Sequence, residues 1–376
     1  MPAQGRVGRP LQIIVPPCPV QVSAFDCETP RTGRREFFRP TRSPEVSRPV
    51  SARSSWLTDA TPPSRAWRIR ASLVAGLVAG VFVVLLYARQ RPEVISDWDP
   101  TWAGTQALLR GESPYAAIQV PPWPNWLLYP LPTLLFTIPF TFVPLPLARG
   151  MFAAVGAAAF TYVVTRRGRW TLYFLLSGAM LRSWVDVQWP PLLIAAALTP
   201  AFSWILAVKP TLGFALWAAY PNRKAVLGGL LFAAVSLLVW PGWVHEWLAS
   251  VARTPHAPHL YRPGGFLLLL GLLRWRRPEG RLLSCLGLIP QTTALYETLP
   301  LALVCRNRVE AAAFATLTML AHLLFYLGPQ GPWPVGAEYQ WWVLLILVYL
   351  PAVVVVLRRP NEADERDWGP AARPNS

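Results

Sequence analysis

Two aspartates stand among tryptophans directly after the first long apolar segment of the chain. They are Asp97 and Asp99, in the stretch ISDWDPTWAGTQALLRGESPY that runs from Ile95 to Tyr115. A carboxylate at a membrane surface can act as a general base, and the neighbouring aromatic rings can lie at the membrane interface or contact a bound ligand. A solvated loop with a helix cap accounts for the same residues equally well on local grounds.

A lysine inside an apolar segment is the second feature with chemical potential. Lys209 lies in ILAVKPTLGF and is one of the two lysines of the chain. Charged groups within a membrane are costly and usually functional, although a lysine near a helix end can extend its stem to the interface. The adjacent Pro210 breaks the helix and frees backbone groups. We therefore expect Lys209 to face a phosphate group.

Further ionisable residues follow in later segments. Glu297 comes just after a break at Pro290, where it can bind an acceptor hydroxyl or form an ion pair with Lys209 or an arginine. His256 and His259 have i,i+3 spacing near Arg262. Two histidines without a placed carboxylate do not predict a metal site, but this loop can contact a phosphate.

The composition indicates the class of protein that must position these residues. Of 376 residues, 53% are hydrophobic and 14% are charged, and several apolar segments approach the roughly 20 residues that cross a bilayer. The net charge of +16 comes from arginines that precede the first apolar segment or flank later ones. This distribution follows the positive-inside rule and does not predict nucleic-acid binding. We expect an all-α, polytopic membrane protein.

The organisation of the chain follows from the same pattern. Residues 1–66 are rich in Arg, Pro and Ser and are predicted to form a disordered cytoplasmic tail. Residues 67–358 form the predicted transmembrane domain, with its first span at Ala71–Ala88, and residues 359–376 form a cytoplasmic carboxyl-terminal tail. Proline and glycine break many apolar segments, and we expect roughly eight to ten spanning helices.

The arginines also predict an orientation. The cytoplasmic sites would be Arg223/Lys224, Arg274–Arg281, Arg306/Arg308 and Arg358/Arg359, which leaves Asp97 and the loop Pro241–Pro263 outside. Arg166, Arg167 and Arg169 would fall outside if both preceding segments, Trp126–Leu147 and Gly150–Val164, span the membrane. Either one of these segments is re-entrant or the rule fails there.

The chain resembles the membrane glycosyltransferases of family 87, which are polyprenyl-phosphate-mannose-dependent mannosyltransferases with the GT-C architecture. The likeness covers roughly 69–357 as a series of weak motifs. These motifs are Asp97-Trp98, Trp102, AGTQALLRG, Pro114-Tyr115, Tyr129-Pro130, Gln188, Lys209-Pro210, LLVWPGWVHEWL and IPQTTALYE. The sequence departs from the family pattern at Thr101, Leu131 and Val187, the last of which replaces a glycine.

The resemblance implies an inverting sugar transfer, with mannose as the expected sugar, from a polyprenyl-phosphate donor to a glycan or glycolipid acceptor. It places the reaction at the outer face of a bacterial plasma membrane, without a cofactor or a metal. Asp97 takes the place of the general base, with Asp99 as the second choice. The expected substrate-binding residues are Lys209, Gln188, Glu297, Tyr115, Tyr129, His256, His259, Arg262, Trp98 and Trp102.

Two alternatives remain open on the sequence. Broken helices and an intramembrane lysine also suit a transporter or flippase, although neither the Asp97 loop nor the Lys-Pro break occurs twice, as paired transporter halves would require. The departures from the family pattern also allow a catalytically degenerate homologue that acts as a scaffold.

Overall fold

We describe the protein from a computed structural model, which covers residues 63–90, 94–118, 127–253, 256–329 and 335–362. These residues belong to one compact unit, Ala52–Ser376. Within the described ranges the regular structure is helical, apart from one isolated antiparallel bridge between Pro258 and Pro290. The predicted tails lie outside these ranges except for residues 63–66 and 359–362. The expected all-α class is therefore confirmed for this part of the chain.

The described residues form fourteen α-helices with short 3₁₀ and π segments between them. The α-helices are α1 (Arg65–Arg89), α2 (Asp99–Leu109), α3 (Pro114–Ala117), α4 (Leu131–Thr137), α5 (Leu145–Val164), α6 (Gly178–Val185), α7 (Pro190–Ala197), α8 (Pro210–Ala219), α9 (Arg223–Val239), α10 (Trp243–Ala252), α11 (Pro278–Leu288), α12 (Arg308–Leu327), α13 (Val335–Leu344) and α14 (Leu350–Leu357). The 3₁₀ segments are Ile138–Phe142, Thr165–Arg167, Arg169–Leu176, Ser203–Val208, His259–Tyr261, Gly265–Arg274 and Leu295–Val304, and the π segment is Leu345–Tyr349.

Four helical stretches are long and apolar enough to cross a membrane, namely Arg65–Arg89, Leu145–Arg167, Arg308–Leu327 and Gly336–Leu357. Helices α9 and α10 add a fifth if they count as one span, which bends by 102° between them. This number is lower than the roughly eight to ten predicted spans. Other apolar stretches, such as Pro210–Ala219, contain 10–17 residues. At 1.5 Å per residue, helices of that length do not cross a hydrocarbon core of about 30 Å.

Large apolar side chains on several helices point away from the protein interior. Leu73 and Leu77 on α1 and Leu231 and Leu238 on α9 are between 66% and 85% exposed. Contiguous apolar surface of this kind is unfavourable in water and is normally covered by lipid or by a partner. The surface of the protein is therefore compatible with a helical membrane protein.

Small residues hold α1 against α5. A Cβ atom added to Gly76 would lie 2.9 Å from the carbonyl oxygen of Ala154, and one added to Gly150 would lie 2.9 Å from that of Gly80. Residues later in α1 thus face residues earlier in α5, so the two helices are antiparallel. Small side chains permit this close backbone approach, as in other membrane helix pairs.

The antiparallel pair resolves the conflict in the predicted orientation. Arg68, at the amino end of α1, donates a 2.6 Å hydrogen bond from Nη2 to the carbonyl oxygen of Tyr162 near the end of α5. The guanidinium of Arg169 lies 5.2 Å from the ring centroid of Trp67. Arg166–Arg169 are therefore on the same side as the amino end of α1. The preceding helical stretch, Leu131–Phe142, is too short to span, which agrees with the re-entrant alternative.

Three of the four other predicted cytoplasmic arginine groups gather at one end of the structure. Glu279 accepts a 2.9 Å hydrogen bond from Arg306 Nε and a 3.1 Å bond from Arg359 Nη1. Arg274 donates from Nη2 to the Leu357 carbonyl oxygen at 2.8 Å. Arginines from three separate segments of the sequence thus share one face, as the positive-inside rule predicts.

This arrangement predicts a labelling pattern for single cysteines in a chain whose four cysteines are replaced by serine. In sealed cells, a membrane-impermeant maleimide should react with Glu112→Cys and should react with Arg166→Cys only after the membrane is opened. Both positions are exposed, so accessibility within the protein does not limit the reaction. Labelling of both positions from outside would contradict the placement of α1 and α5.

Candidate functional site

Asp97 lies where three distant parts of the chain meet. It stands in the turn before α2, Gln188 lies between α6 and α7, and Tyr296 lies in the 3₁₀ segment Leu295–Val304. Gln188 Nε2 donates to Asp97 Oδ2 at 3.0 Å, and the Tyr296 hydroxyl donates to the same oxygen at 3.2 Å. Within the described ranges Oδ1 has no hydrogen-bond donor. One oxygen of the carboxylate is therefore held in place, and the other can accept a proton.

A buried ion pair lies beside Asp97. Lys209 Nζ is 3.0 Å from Glu297 Oε1, and both side chains are buried. Glu297 Oε2 accepts a 3.0 Å hydrogen bond from the backbone N–H of Thr292. The Lys209 ammonium also lies 5.3 Å from the ring centroid of Tyr296. Tyr296 thus contacts both Asp97 and the ion pair.

Tyr129 completes this group, which we call the Asp97 cluster: Asp97, Tyr129, Gln188, Lys209, Tyr296 and Glu297. The Tyr129 hydroxyl lies 3.5 Å from Gln188 Oε1, which leaves the Gln188 amide nitrogen to face Asp97. The structure therefore brings together five residues that the sequence analysis selected. Tyr296 was not selected, although its position directly before Glu297 in TALYE could have indicated it.

Burial controls the charge of Asp97. Loss of water raises the pKa of Asp97 above that of an ordinary aspartate, while the Tyr296 hydrogen bond and the charges of Lys209 and Arg182 act in the opposite direction. A carboxylate with a raised pKa is a stronger base once it is ionised. This is the direction that general-base chemistry near neutral pH requires.

A second ion pair, absent from the predicted site, lies close to Asp97. Arg182 Nε is 2.6 Å from Asp186 Oδ2 at the carboxyl end of α6. Burial raises the pKa of Asp186 to about 7, assisted by the negative charge of Asp97 and opposed by Arg182. The sequence offered an indication, because Asp186 is one of the few carboxylates outside the tails.

Asp99 occupies a different environment from Asp97. It is completely buried, and Arg149 Nε donates to its Oδ1 at 2.8 Å while Arg149 Nη2 contacts its Oδ2. The backbone N–H and the hydroxyl of Ser96 donate to the same carboxylate at 2.7 Å and 2.5 Å. Both oxygens of Asp99 thus accept hydrogen bonds within the structure, which favours a structural role; a role of Asp99 as the second-choice base stays a prediction.

Three aromatic residues of the predicted site contribute to packing instead. Trp98 is fully buried and stacks on Phe152 at a centroid distance of 4.9 Å. Trp102 Nε1 donates to the Phe140 carbonyl oxygen at 3.2 Å. The hydroxyl of the buried Tyr115 donates to the carbonyl oxygen of Tyr129 at 3.1 Å. We find them in apolar or backbone contacts, and not in the Asp97 cluster.

The predicted histidine loop contacts aromatic side chains outside the Asp97 cluster. His259 is fully buried between Trp341 and Tyr349, with ring centroids 4.8 Å and 5.5 Å away. Burial lowers the pKa of His259 to about 3, so its ring is neutral. The Arg262 guanidinium lies 5.9 Å from the ring centroid of Trp341, and His256 is partly exposed. A contact of these residues with a phosphate stays a prediction.

The Asp97 cluster combines a proton acceptor, two phenolic hydroxyls and an ammonium group. In the part of the chain that the structure describes, no group of three or more His, Cys, Asp or Glu residues could hold a metal ion. Comparison of the chain with protein-family models, with curated proteins and with solved structures found no match. Function is therefore inferred from the geometry of the cluster and from the sequence motifs.

The two aspartates should respond differently to the same substitution. Asp99→Asn leaves the Arg149 charge buried without its partner, which typically costs about 3–5 kcal/mol. We expect a large fall in the thermal unfolding temperature of the detergent-purified protein, and a much smaller fall for Asp97→Asn. The double variant Asp99→Asn/Arg149→Met should recover part of the loss. Equal unfolding temperatures for the two single variants would contradict this assignment.

Proposed function

We propose that the protein is an integral membrane glycosyltransferase that moves a sugar from a polyprenyl-phosphate donor to a glycan or glycolipid acceptor. In its specific form the proposal names mannose as the sugar and the outer face of a bacterial plasma membrane as the place of reaction. The observation that carries it is the position of Asp97, with one oxygen held and one free, beside a buried ammonium group. The motifs shared with family 87 supply the substrate class.

Asp97 would act as the general base. The acceptor hydroxyl gives its proton to the free Oδ1 as its oxygen bonds to the anomeric carbon, and the bond from that carbon to the phosphate oxygen breaks. Attack from the face opposite the phosphate inverts the anomeric configuration. Gln188 and Tyr296 donate to Oδ2 and hold the carboxylate plane during the transfer. Help from a general base typically contributes about 10²–10⁴-fold in rate.

Lys209 would stabilise the departing polyprenyl phosphate. An ammonium group has three N–H donors, and Glu297 receives one hydrogen bond from Lys209. The others can contact a phosphate oxygen on which charge develops as the sugar leaves. Glu297 keeps the ammonium group in place before the donor binds, since an isolated charge at this buried position would be unfavourable.

A transporter or flippase is the second candidate, and specific features favour it. The 102° bend between α9 and α10 and the buried Lys209–Glu297 pair are both typical of membrane transport proteins. The free Oδ1 of Asp97 distinguishes the two candidates, because a proton acceptor is essential for sugar transfer but not for moving an unreacted lipid. Transfer of a labelled sugar separates them directly.

The first functional prediction concerns Asp97→Asn. The amide preserves size and the acceptor for Gln188 and Tyr296, but it removes the basic oxygen. Transfer from labelled polyprenyl-phosphate mannose in isolated membranes should fall by about 10²–10⁴-fold at equal protein levels. Because burial raises the pKa of Asp97, wild-type transfer should also decrease as the pH is lowered through that raised value.

Donor binding provides the control for this prediction. Asp97→Asn should still bind the donor, because the Lys209–Glu297 pair is unchanged. Glu112→Gln, at an exposed position outside the cluster, should transfer sugar at the wild-type rate. Normal turnover by the Asp97 variant would remove the general base from the proposal, and transport without any transfer would favour the second candidate.

The next prediction separates the charge of Lys209 from its role in folding. Lys209→Met alone has two effects, because it removes a phosphate contact and also leaves the buried Glu297 carboxylate without its charged partner. In the double variant Lys209→Met/Glu297→Gln the charges are removed together, so the thermal unfolding temperature should recover relative to the single variant. The apparent donor affinity should remain weakened in both.

The outcome depends on comparing affinity with stability. If the double variant recovers both stability and donor affinity, Lys209 is a structural partner of Glu297 and does not contact the phosphate. If only stability recovers, the ammonium acts on the donor. Arg223→Gln, a charge change at the amino end of α9 and outside the cluster, serves as the matched control for the loss of one positive charge.

A further inference from the structure

Val187 has a backbone conformation that its side chain disfavours. Its φ angle is 53°, and among the described residues no other residue except glycine has a positive φ. A branched side chain in this left-handed region is a genuine outlier, because Cβ approaches the neighbouring backbone too closely. Outliers of this kind persist only where the surrounding structure imposes them, and they are concentrated at functional sites.

The surrounding hydrogen bonds explain what imposes this conformation. Helix α6 ends in a Schellman motif, in which the Gln188 N–H donates to the Ser183 carbonyl oxygen at 2.7 Å and the Val187 N–H donates to that of Trp184 at 3.2 Å. This motif requires a left-handed residue at the first position beyond the helix cap, and glycine normally supplies it. Val187 occupies that position. The strained residue is therefore the one that reverses the chain at the end of α6.

The reversal determines where Gln188 points. Gln188 is the next residue, it is buried, and its amide links two members of the Asp97 cluster. Nε2 donates to Asp97 Oδ2, and Oε1 faces the Tyr129 hydroxyl. A different φ at Val187 would turn the Gln188 backbone and withdraw the amide from Asp97.

We propose that the Val187–Gln188 turn is a positioning device that orients the Asp97 carboxylate through the Gln188 amide. Gln188 does not touch the reacting atoms in this scheme, and it acts by holding Oδ2 so that Oδ1 faces the acceptor. The catalytic consequence rests on the proposed glycosyl transfer, whereas the control of Asp97 by Gln188 does not. The hydrogen bonds that end α6 hold the turn in the conformation that presents the amide, against the strain at Val187.

The proposal has a measurable electrostatic consequence. Gln188 donates to the ionised form of Asp97, so its removal should raise the pKa of that carboxyl further. Other charged or titratable groups around Asp97 keep their own contacts when Gln188 is substituted, namely Tyr296, Lys209, Arg182 and Asp186, and Tyr129 loses only its 3.5 Å contact with Gln188 Oε1. A shift in Asp97 titration can therefore be assigned to the lost amide.

The experiment is an infrared titration of protonated carboxyl groups in the full-length, detergent-purified protein. The Asp97 signal is the component lost in Asp97→Asn, and Asp186→Asn identifies its neighbour. In Gln188→Leu, which keeps the approximate volume without a donor, the Asp97 midpoint should rise by about one pH unit. Val187→Pro should produce a similar shift, because proline cannot adopt a positive φ. An unchanged midpoint in Gln188→Leu overturns the proposal.

Val187→Gly is the conservative variant. Glycine adopts the left-handed conformation without penalty, so this variant should keep the wild-type Asp97 midpoint even though it removes a fully buried side chain. A shifted Asp97 midpoint in Val187→Gly contradicts the role of the left-handed turn. If Val187→Pro does not fold, Gln188→Leu and Val187→Gly together still decide the outcome.

Activity then separates this inference from the proposed function. With polyprenyl-phosphate mannose as the probe, the acid-side midpoint of transfer should move with the infrared midpoint in Gln188→Leu, and Val187→Gly should show no such movement. If the infrared midpoint of Gln188→Leu shifts as expected but the wild-type protein transfers no sugar, the positioning device is supported and the glycosyltransferase is rejected. If sugar transfer depends on Asp97 but the infrared midpoint does not depend on Gln188, the glycosyltransferase is supported and the positioning device is rejected.

Discussion

The ion pair between Asp99 and Arg149 determines where Asp97 can be. Arg149 lies near the start of α5, and its guanidinium holds the carboxylate that opens α2. The Tyr87 ring near the end of α1 lies 4.0 Å from the same guanidinium. The loop after α1 is therefore attached to α5 at the end of the antiparallel pair, and Asp97 is two residues from that attachment. The low dielectric of the interior makes the pair hard to break, because each charge alone would remain desolvated.

The two aspartates show which part of the site can be predicted from the sequence. The motif ISDWDPTW indicates that one of them is special, and counting along the family pattern selects Asp97, but the two lie in one short stretch whose sequence does not specify their different environments. What distinguishes them is Arg149, fifty residues later, and Gln188 and Tyr296, which are 91 and 199 residues away from Asp97. Contacts over such separations depend on how the helices pack, and hydrophobic periodicity does not specify that packing.

The sequence predicts the helical class, the apolar segments and the charge distribution, because each of these features has a local physical cause. It does not predict the number of long helices, since proline and glycine divide apolar segments without showing whether the pieces continue, turn back or form 3₁₀ turns. The stretch Leu131–Phe142 illustrates this: its hydropathy resembles that of a span, yet Pro144 separates it from α5 and its length is insufficient. Contacts with α1, such as that of Arg68 with Tyr162, orient the segment that follows.

Val187 is a departure from the family pattern that lies directly beside the Asp97 cluster. As a departure from a glycine in the family pattern, it is one of the substitutions that leave a catalytically degenerate homologue open on the sequence. In the structure the φ angle at this position is 53°, so the backbone keeps the conformation that glycine would favour while carrying a branched side chain. The hydrogen bonds of the α6 terminus and the contacts of Gln188 outweigh the local preference of valine. A local sequence rule thus fails beside the residues that carry the proposed chemistry, where the surrounding contacts are strong enough to maintain the strained turn.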